Sequence, residues 1–406
     1  MILKILIAGI FVILSSFIAN DKPFVAQEKF MLGNEVLLQE KLGLISGKRV
    51  ALITNHTGIT SKGTHLADEL ILKKINITKI FTPEHGFGAD DSYSSSGISV
   101  PVISLYGSEK SIRKSDLIDV DVLIFDMQEL GARFYTYTST LYLTIKNAID
   151  NGKEYIVCDR PALCNPDYTG GFMPRSNFSS FVCLIPAPVM YGMTTGELAS
   201  FLKNEYSDKD AGFTIIKMKG YTRKTDFLSL NLPWVNPSPN IITPEGGRIY
   251  PALCFLEGSN ISEGRGTDDP FTLFGAPFCN GEQLKLELNG YNLPGVIFEA
   301  TTFTPYKKTS SYTPKFLNKQ CEGIKIRITD IYSFKPVETG VAILCALKNS
   351  ASEFKWTEGN FIDKLSGTDK LRKMIENGSP YVEICDSWKS ELNIFMSKRE
   401  HFLLYH

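Results

Sequence analysis

Residues 49–58 read Arg49-Val50-Ala51-Leu52-Ile53-Thr54-Asn55-His56-Thr57-Gly58. An apolar run of strand-favouring residues ends abruptly in a polar loop closed by glycine. The same arrangement recurs downstream. Lys79–Thr82 runs into Pro83-Glu84-His85-Gly86-Phe87, and Val100–Tyr106 ends at Gly107. Asp121–Phe125 runs into Asp126-Met127-Gln128-Glu129-Leu130-Gly131-Ala132-Arg133-Phe134-Tyr135-Thr136-Tyr137, and Tyr155–Cys158 into Asp159-Arg160-Pro161. Between these runs lie helix-like stretches: Ser61–Lys73, Ser139–Asn151 closed by Gly152, and Thr195–Glu205. Strands alternating with helices make parallel βαβ units, so the fold class is α/β with a Rossmann-like parallel sheet. The carboxyl ends of parallel strands share one edge, and ligands bind in the crevice outside it. The polar loops are therefore expected to converge on one pocket.

Further along, Phe213–Met218 reads as another strand. Leu232–Gly275 is rich in Pro, Gly, Asn and Ser and is expected to form irregular loops over a cleft. The α/β pattern then resumes with a helix at Gly281–Gly290, an alternating strand at Gly323–Asp330 and an apolar helix at Glu338–Lys348. The expected organisation is a Rossmann-like domain over 30–280 and a smaller C-terminal α/β domain over 281–406. Ahead of both, Lys4 precedes the apolar run Ile5–Ile18. Residues 1–20 read as a signal peptide or an N-terminal anchor, since a membrane span needs about 20 apolar residues. An exported protein, periplasmic or extracellular, is expected, with any membrane tether confined to this segment.

Composition excludes several classes. The 406 residues are 43% hydrophobic and 21% charged, with a net charge of -1, which gives no electrostatic footprint for nucleic acid. No glycine-rich dinucleotide fingerprint or phosphate-binding loop is present, so no nucleotide cofactor is expected. The eight cysteines form no C-x-x-C pair and the five histidines no metal-binding spacing, so no metal is expected either. A G-x-S-x-G elbow is missing, which argues against a serine esterase. Export would permit disulfides, but several cysteines sit inside apolar runs and read as buried small residues.

The chemistry that remains is carboxylate chemistry. Glu84, Asp126, Glu129 and Glu263 all lie in glycine-flanked loops. Glycoside hydrolysis needs two carboxyl groups about the scissile bond, one of them a proton donor with a raised pKa. Ser262-Glu263-Gly264-Arg265-Gly266-Thr267 forms a second polar cluster in which Arg265 could fork onto a carboxylate. Trp234, with Asn236, Ser238 and Asn240 on a proline-ruled stretch, has the look of a sugar platform with its hydrogen-bonding groups. The strand-end loops add Asn55, His85, Asp126, Gln128, Arg133 and Tyr137 as candidate substrate ligands.

Together these motifs resemble the exo-β-N-acetylmuramidase (NamZ-like) family of bacteria. The resemblance runs from about Gly47 into the C-terminal domain. It is also carried by Gly192-Met193-Thr194-Thr195-Gly196-Glu197, by Leu232–Asn240 and by Glu257–Thr267. It implies two domains with a cleft between them, and release of terminal N-acetylmuramic acid from the non-reducing end of peptidoglycan-derived muropeptides or disaccharides. It favours Glu84 as catalytic residue. Glu129, Asp126 or Glu263 is left for the other face, unless the substrate's own acetamido group serves. Arg265 or Arg133 is the expected clamp for the lactyl carboxylate. The chain departs from the family at Gly88, where Arg is usual, at Glu129 for Asp, at Tyr191 for His, and over Thr243–Arg248. These departures keep two rivals open: a non-catalytic glycan-binding protein, and a hydrolase of another amino sugar.

Overall fold

The computed structural model describes residues 29–87, 92–95, 98–208, 212–308 and 312–406. Residues 1–28, and with them the N-terminal apolar run, lie outside the described residues, as does Gly88. Seven strands form the first sheet: β1 (Arg49–Thr54), β2 (Asn76–Thr82), β3 (Ser92–Ser95), β4 (Ile98–Ser104), β5 (Val122–Asp126), β6 (Glu154–Cys158) and β7 (Phe213–Ile216). Their order is β3-β4-β2-β1-β5-β6-β7. All are parallel except β3, which runs antiparallel to β4 at one edge.

Helices cover both faces, which is why the strands read as unbroken apolar runs. Along β1, Ala51 and Ile53 enter one core while Val50 and Leu52 enter the other, as the two-residue repeat of a strand requires. The helix Tyr137–Asp150 ends where expected, with Gly152 at φ 61° just beyond its cap. Among the described residues no helix is long and apolar enough to cross a membrane. All eight cysteines are buried free thiols.

The second unit is built on an antiparallel sheet of β8 (Leu273–Ala276), β9 (Val296–Phe303) and β10 (Cys321–Ile328), in the order β8-β10-β9. Leu273–Ala276 pairs with β10, so strand pairing places residues ahead of 281 in the second unit. The stretch expected to be irregular also holds a helix, Pro244–Leu253. Thr243 caps it, accepting from the Gly246 amide, and Pro244 sits at its first position, where a missing N–H costs nothing. This helix packs on Pro336–Ser350. Gly340 makes the contact possible, since a Cβ there would lie 2.6 Å from the Ala252 carbonyl oxygen.

The end of the chain returns to the first sheet. The Tyr405 hydroxyl donates to Asp159 Oδ2 (2.7 Å) and accepts from the Met218 amide (2.9 Å). The Leu404 amide donates to Glu197 Oε1 (2.8 Å). Asp159, at the end of β6, also accepts from Thr194 Oγ1 and the Gly196 amide. Burial pushes its carboxyl up to about 6 against these donors.

Candidate active site

The turn after β2 sets the geometry. His85 has φ 71° and Gly86 φ 34°, so the chain reverses through two left-handed residues. For a histidine this conformation costs roughly 1–3 kcal/mol and persists only where its surroundings hold it. His56 supplies one hold. Its Nδ1 lies 2.9 Å from the Gly86 carbonyl oxygen and its Nε2 2.5 Å from that of Asn236, tying the turn to the proline-rich wall opposite. Thr136 Oγ1 donates to Glu84 Oε2 at 2.8 Å. A hydrogen bond to Glu84 raises the Tyr106 phenol to about 12. His85 Nε2 stands 3.9 Å from Glu84 Oε1, and burial pushes its imidazole down while the Glu84 charge partly restores it.

Glu84 faces a chamber of about 340 Å³ whose walls include Tyr106, Lys110, Thr136, Glu257 and Arg265. It lies over the ends of β2, β4 and β5, and the second unit supplies the far wall. Glu257 Oε1 accepts from Arg265 Nη2 (3.1 Å), while Oε2 has no hydrogen-bond partner among the described residues. Arg265 Nη1 donates to Glu263 Oε1 (2.9 Å), and its guanidinium lies over the Phe271 and Tyr312 rings. Glu263 Oε2 accepts from Lys315 Nζ (3.0 Å). The two cations hold the Glu263 carboxyl well below the usual carboxylate range despite its burial. Two acids and two bases thus form one chain, Glu257–Arg265–Glu263–Lys315.

Of the candidates named from sequence, Glu84, His85, Ser238 and Arg265 line this chamber. The others stand elsewhere. Glu263 is buried behind Arg265, with both oxygens in ion pairs. Arg133 is no clamp for a ligand carboxylate: it is fully buried, donating to the carbonyls of Phe172, Ala187 and Leu365, and so staples the two units together. Asp126 is buried against Arg160 Nε (2.7 Å) and Asn34 Nδ2 (3.0 Å). Asn55 is committed to Thr57 and Tyr137, and Tyr137 to the Pro237 carbonyl. Gln128 donates to the Glu129 and Pro161 carbonyls. The β1–β5 switch point, where an α/β sheet ordinarily takes its ligand, is therefore filled by the protein's own side chains. Asn236 is exposed and meets His56 through its carbonyl. Asn240 lines a separate recess of about 80 Å³ with Thr267 and Tyr312. Trp234 stands edge-on to Phe227 outside the chamber.

Glu129 is buried outside the chamber as well. Its Oε2 accepts from the Tyr191 hydroxyl and from the Gly131 amide (2.5 Å), while Oε1 has no partner among the described residues. The departures at 129 and 191 are thus a single hydrogen-bonded pair. Burial pushes the Glu129 carboxyl up to about 7. A carboxyl whose folded pKa exceeds its unfolded value of about 4.3 gives stability that is complete below pH 4 and lost as pH rises through 7. Glu129→Gln has no such loss. Relative to wild type it should gain about 2–3 kcal/mol in unfolding free energy between pH 5 and pH 8. Parallel denaturation curves at the two pH values would remove the assignment.

Glu257, Tyr106, Lys110 and Thr136 escaped the sequence reading as site residues. Glu257 and Thr136 sit inside the quoted motifs, so position in a motif was a signal for both. Tyr106 closes one of the quoted strand ends, whereas nothing in the sequence around Lys110 marks it.

The comparisons with known proteins agree with this architecture. Residues 50–245 match the family described as exo-β-N-acetylmuramidase NamZ, N-terminal. Residues 248–405 match its C-terminal counterpart. The chain is 39% identical over 386 residues to the peptidoglycan β-N-acetylmuramidase NamZ of Bacillus subtilis, covering 93% of this chain and 92% of that protein. Two crystal structures of DUF1343-family proteins from Bacteroides fragilis superpose with TM-scores of 0.86 and 0.75, at 30% and 29% identity. Each alignment covers 93% of this chain and 99% of the other. Both units are matched in order, and together they span the sheet, the turn bearing Glu84 and the wall bearing Glu257: the chain belongs to the exo-β-N-acetylmuramidase NamZ family.

Proposed function

We propose that this protein is an exo-acting glycoside hydrolase that releases terminal N-acetylmuramic acid from the non-reducing end of peptidoglycan fragments. One observation carries the reading: a single chamber with two carboxylates, Glu84 from the first unit and Glu257 from the second. Its volume is near the lower end of small-ligand pockets, about 300–1,000 Å³, which suits one terminal sugar better than the middle of a glycan strand. In this reading Glu84 protonates the glycosidic oxygen as the C1–O bond breaks, and Glu257 serves the water that attacks C1. Thr136 and Tyr106 orient Glu84. Arg265 fixes one oxygen of Glu257 and leaves the other toward the chamber. The membership of the family supports muramic acid as the sugar, and the apolar run Ile5–Ile18 supports an enzyme exported to where peptidoglycan lies.

The test is direct. The protein incubated with an N-acetylmuramic acid–terminated disaccharide should liberate free N-acetylmuramic acid. The same disaccharide capped on its terminal sugar should survive. Cleavage inside long glycan strands, or binding without turnover, would overturn the proposal.

A further inference from the structure

N-acetylmuramic acid differs from N-acetylglucosamine by a lactyl ether, which adds a methyl group and a carboxylate. Recognition of that group calls for a cation beside an apolar surface. Arg265, the expected clamp, is already engaged by Glu257 and Glu263. Lys315 lies behind it on Glu263. The remaining cation on the chamber wall is Lys110, in the segment after β4, and its ammonium has no acid partner among the described residues. Instead Lys110 Nζ sits 4.8 Å from the centre of the Phe181 ring, a contact that holds a cation in place without neutralising it. Phe181 and Val182 line the chamber next to it. Their segment is anchored, because Ser139 Oγ donates to the Phe181 carbonyl at 2.7 Å. Tyr106, which bonds to Glu84, also packs on Phe181 with ring centres 6.3 Å apart. The cation and its apolar floor therefore stand one side chain away from the acid.

Resting on the muramidase reading, we propose that Lys110, Phe181 and Val182 form the subsite for the lactyl ether, with Lys110 the residue that selects muramic acid over glucosamine. Lys110 pairs with the lactyl carboxylate, and the ring and Val182 take the methyl.

The experiment compares kcat/KM for a chromogenic N-acetylmuramide and the matching N-acetylglucosaminide in wild type, Lys110→Met and Lys110→Arg. Lys110 is exposed, so the substitutions do not threaten folding. Loss of one charge-assisted hydrogen bond should cost the Met variant about tenfold to a hundredfold on the muramide. The glucosaminide should be unaffected, and the Arg variant should recover most of the loss. A muramide esterified on its lactyl carboxylate should be turned over equally by wild type and Met variant. An unchanged preference in Lys110→Met, or an equal loss on both sugars, overturns the subsite. Wild type that fails to turn over the muramide would instead overturn the muramidase reading, so the two failures are distinct.

Discussion

Glu84→Gln is expected to lower kcat by about a thousandfold while leaving the fold intact. A positioned general acid contributes about 10²–10⁴, and the amide cannot donate the proton. The side chain keeps its size and its acceptor for Thr136 Oγ1, so stability should change by no more than about 1 kcal/mol. The deficit should depend on the leaving group. A nitrophenolate departs with little help from an acid, whereas a sugar alkoxide needs full protonation. The variant should therefore be most impaired on the natural disaccharide and much less so on a nitrophenyl muramide. Equal impairment on both would move Glu84 from proton donor to another role, and near-normal hydrolysis of the disaccharide would remove it from the chemistry.

Glu263→Ala should be the most damaging change to stability, at about 3–5 kcal/mol. Removing one partner from a buried ionic network leaves the others charged and unbalanced. Lys315 keeps the Leu256 and Ile261 carbonyls, and Arg265 keeps Glu257, so neither is orphaned outright. Arg265 is nevertheless released on the side away from the chamber, and Glu257 loses the rigidity of its support. Activity should fall together with the unfolding midpoint. The pH dependence gives an independent check. A carboxylate whose folded pKa is depressed stabilises fully above its unfolded pKa, and that stabilisation is lost as pH falls through the folded one. The gap between wild type and Glu263→Ala should therefore be widest at neutral pH and narrow below pH 4. An unfolding free energy from denaturant titration within about 1 kcal/mol of wild type at pH 7 would show that the network is not what holds this wall.

Much of the first sheet was legible because its strands are buried on both faces. Val50–Ile53 and Val122–Phe125 have no polar position to interrupt them. The second unit was harder. Its helices Phe361–Ser366, Lys370–Glu376 and Tyr381–Asp386 are each under eight residues, too short to show a helical period. The site divides in the same way. Glu84 stood out because a proline, a histidine and a glycine constrain its turn. Asp126 had the same appearance at a strand end, yet Arg160 and Asn34 surround it. Asn34 belongs to the helix Gly33–Glu40, which the reading had not found. Glu257 and Glu263 were alike on paper, six residues apart in one polar run. Which of them faces the chamber and which is buried depends on how β8 and the helix Pro244–Leu253 bring the two units together. Periodicity in one segment carries no such information.

The bond between Tyr405 and Asp159 bears on how the molecule is made. Domains ordinarily fold as units while the chain is being synthesised, the N-terminal one first. Here the β6 end of the first sheet keeps a buried carboxylate, and the adjacent helix keeps Glu197, whose Tyr405 and Leu404 partners lie 246 and 207 residues further along the chain. The first sheet therefore cannot be finished until the second unit has been made. A nascent chain stopped at residue 245, though it holds every strand of that sheet, should be a poor folder.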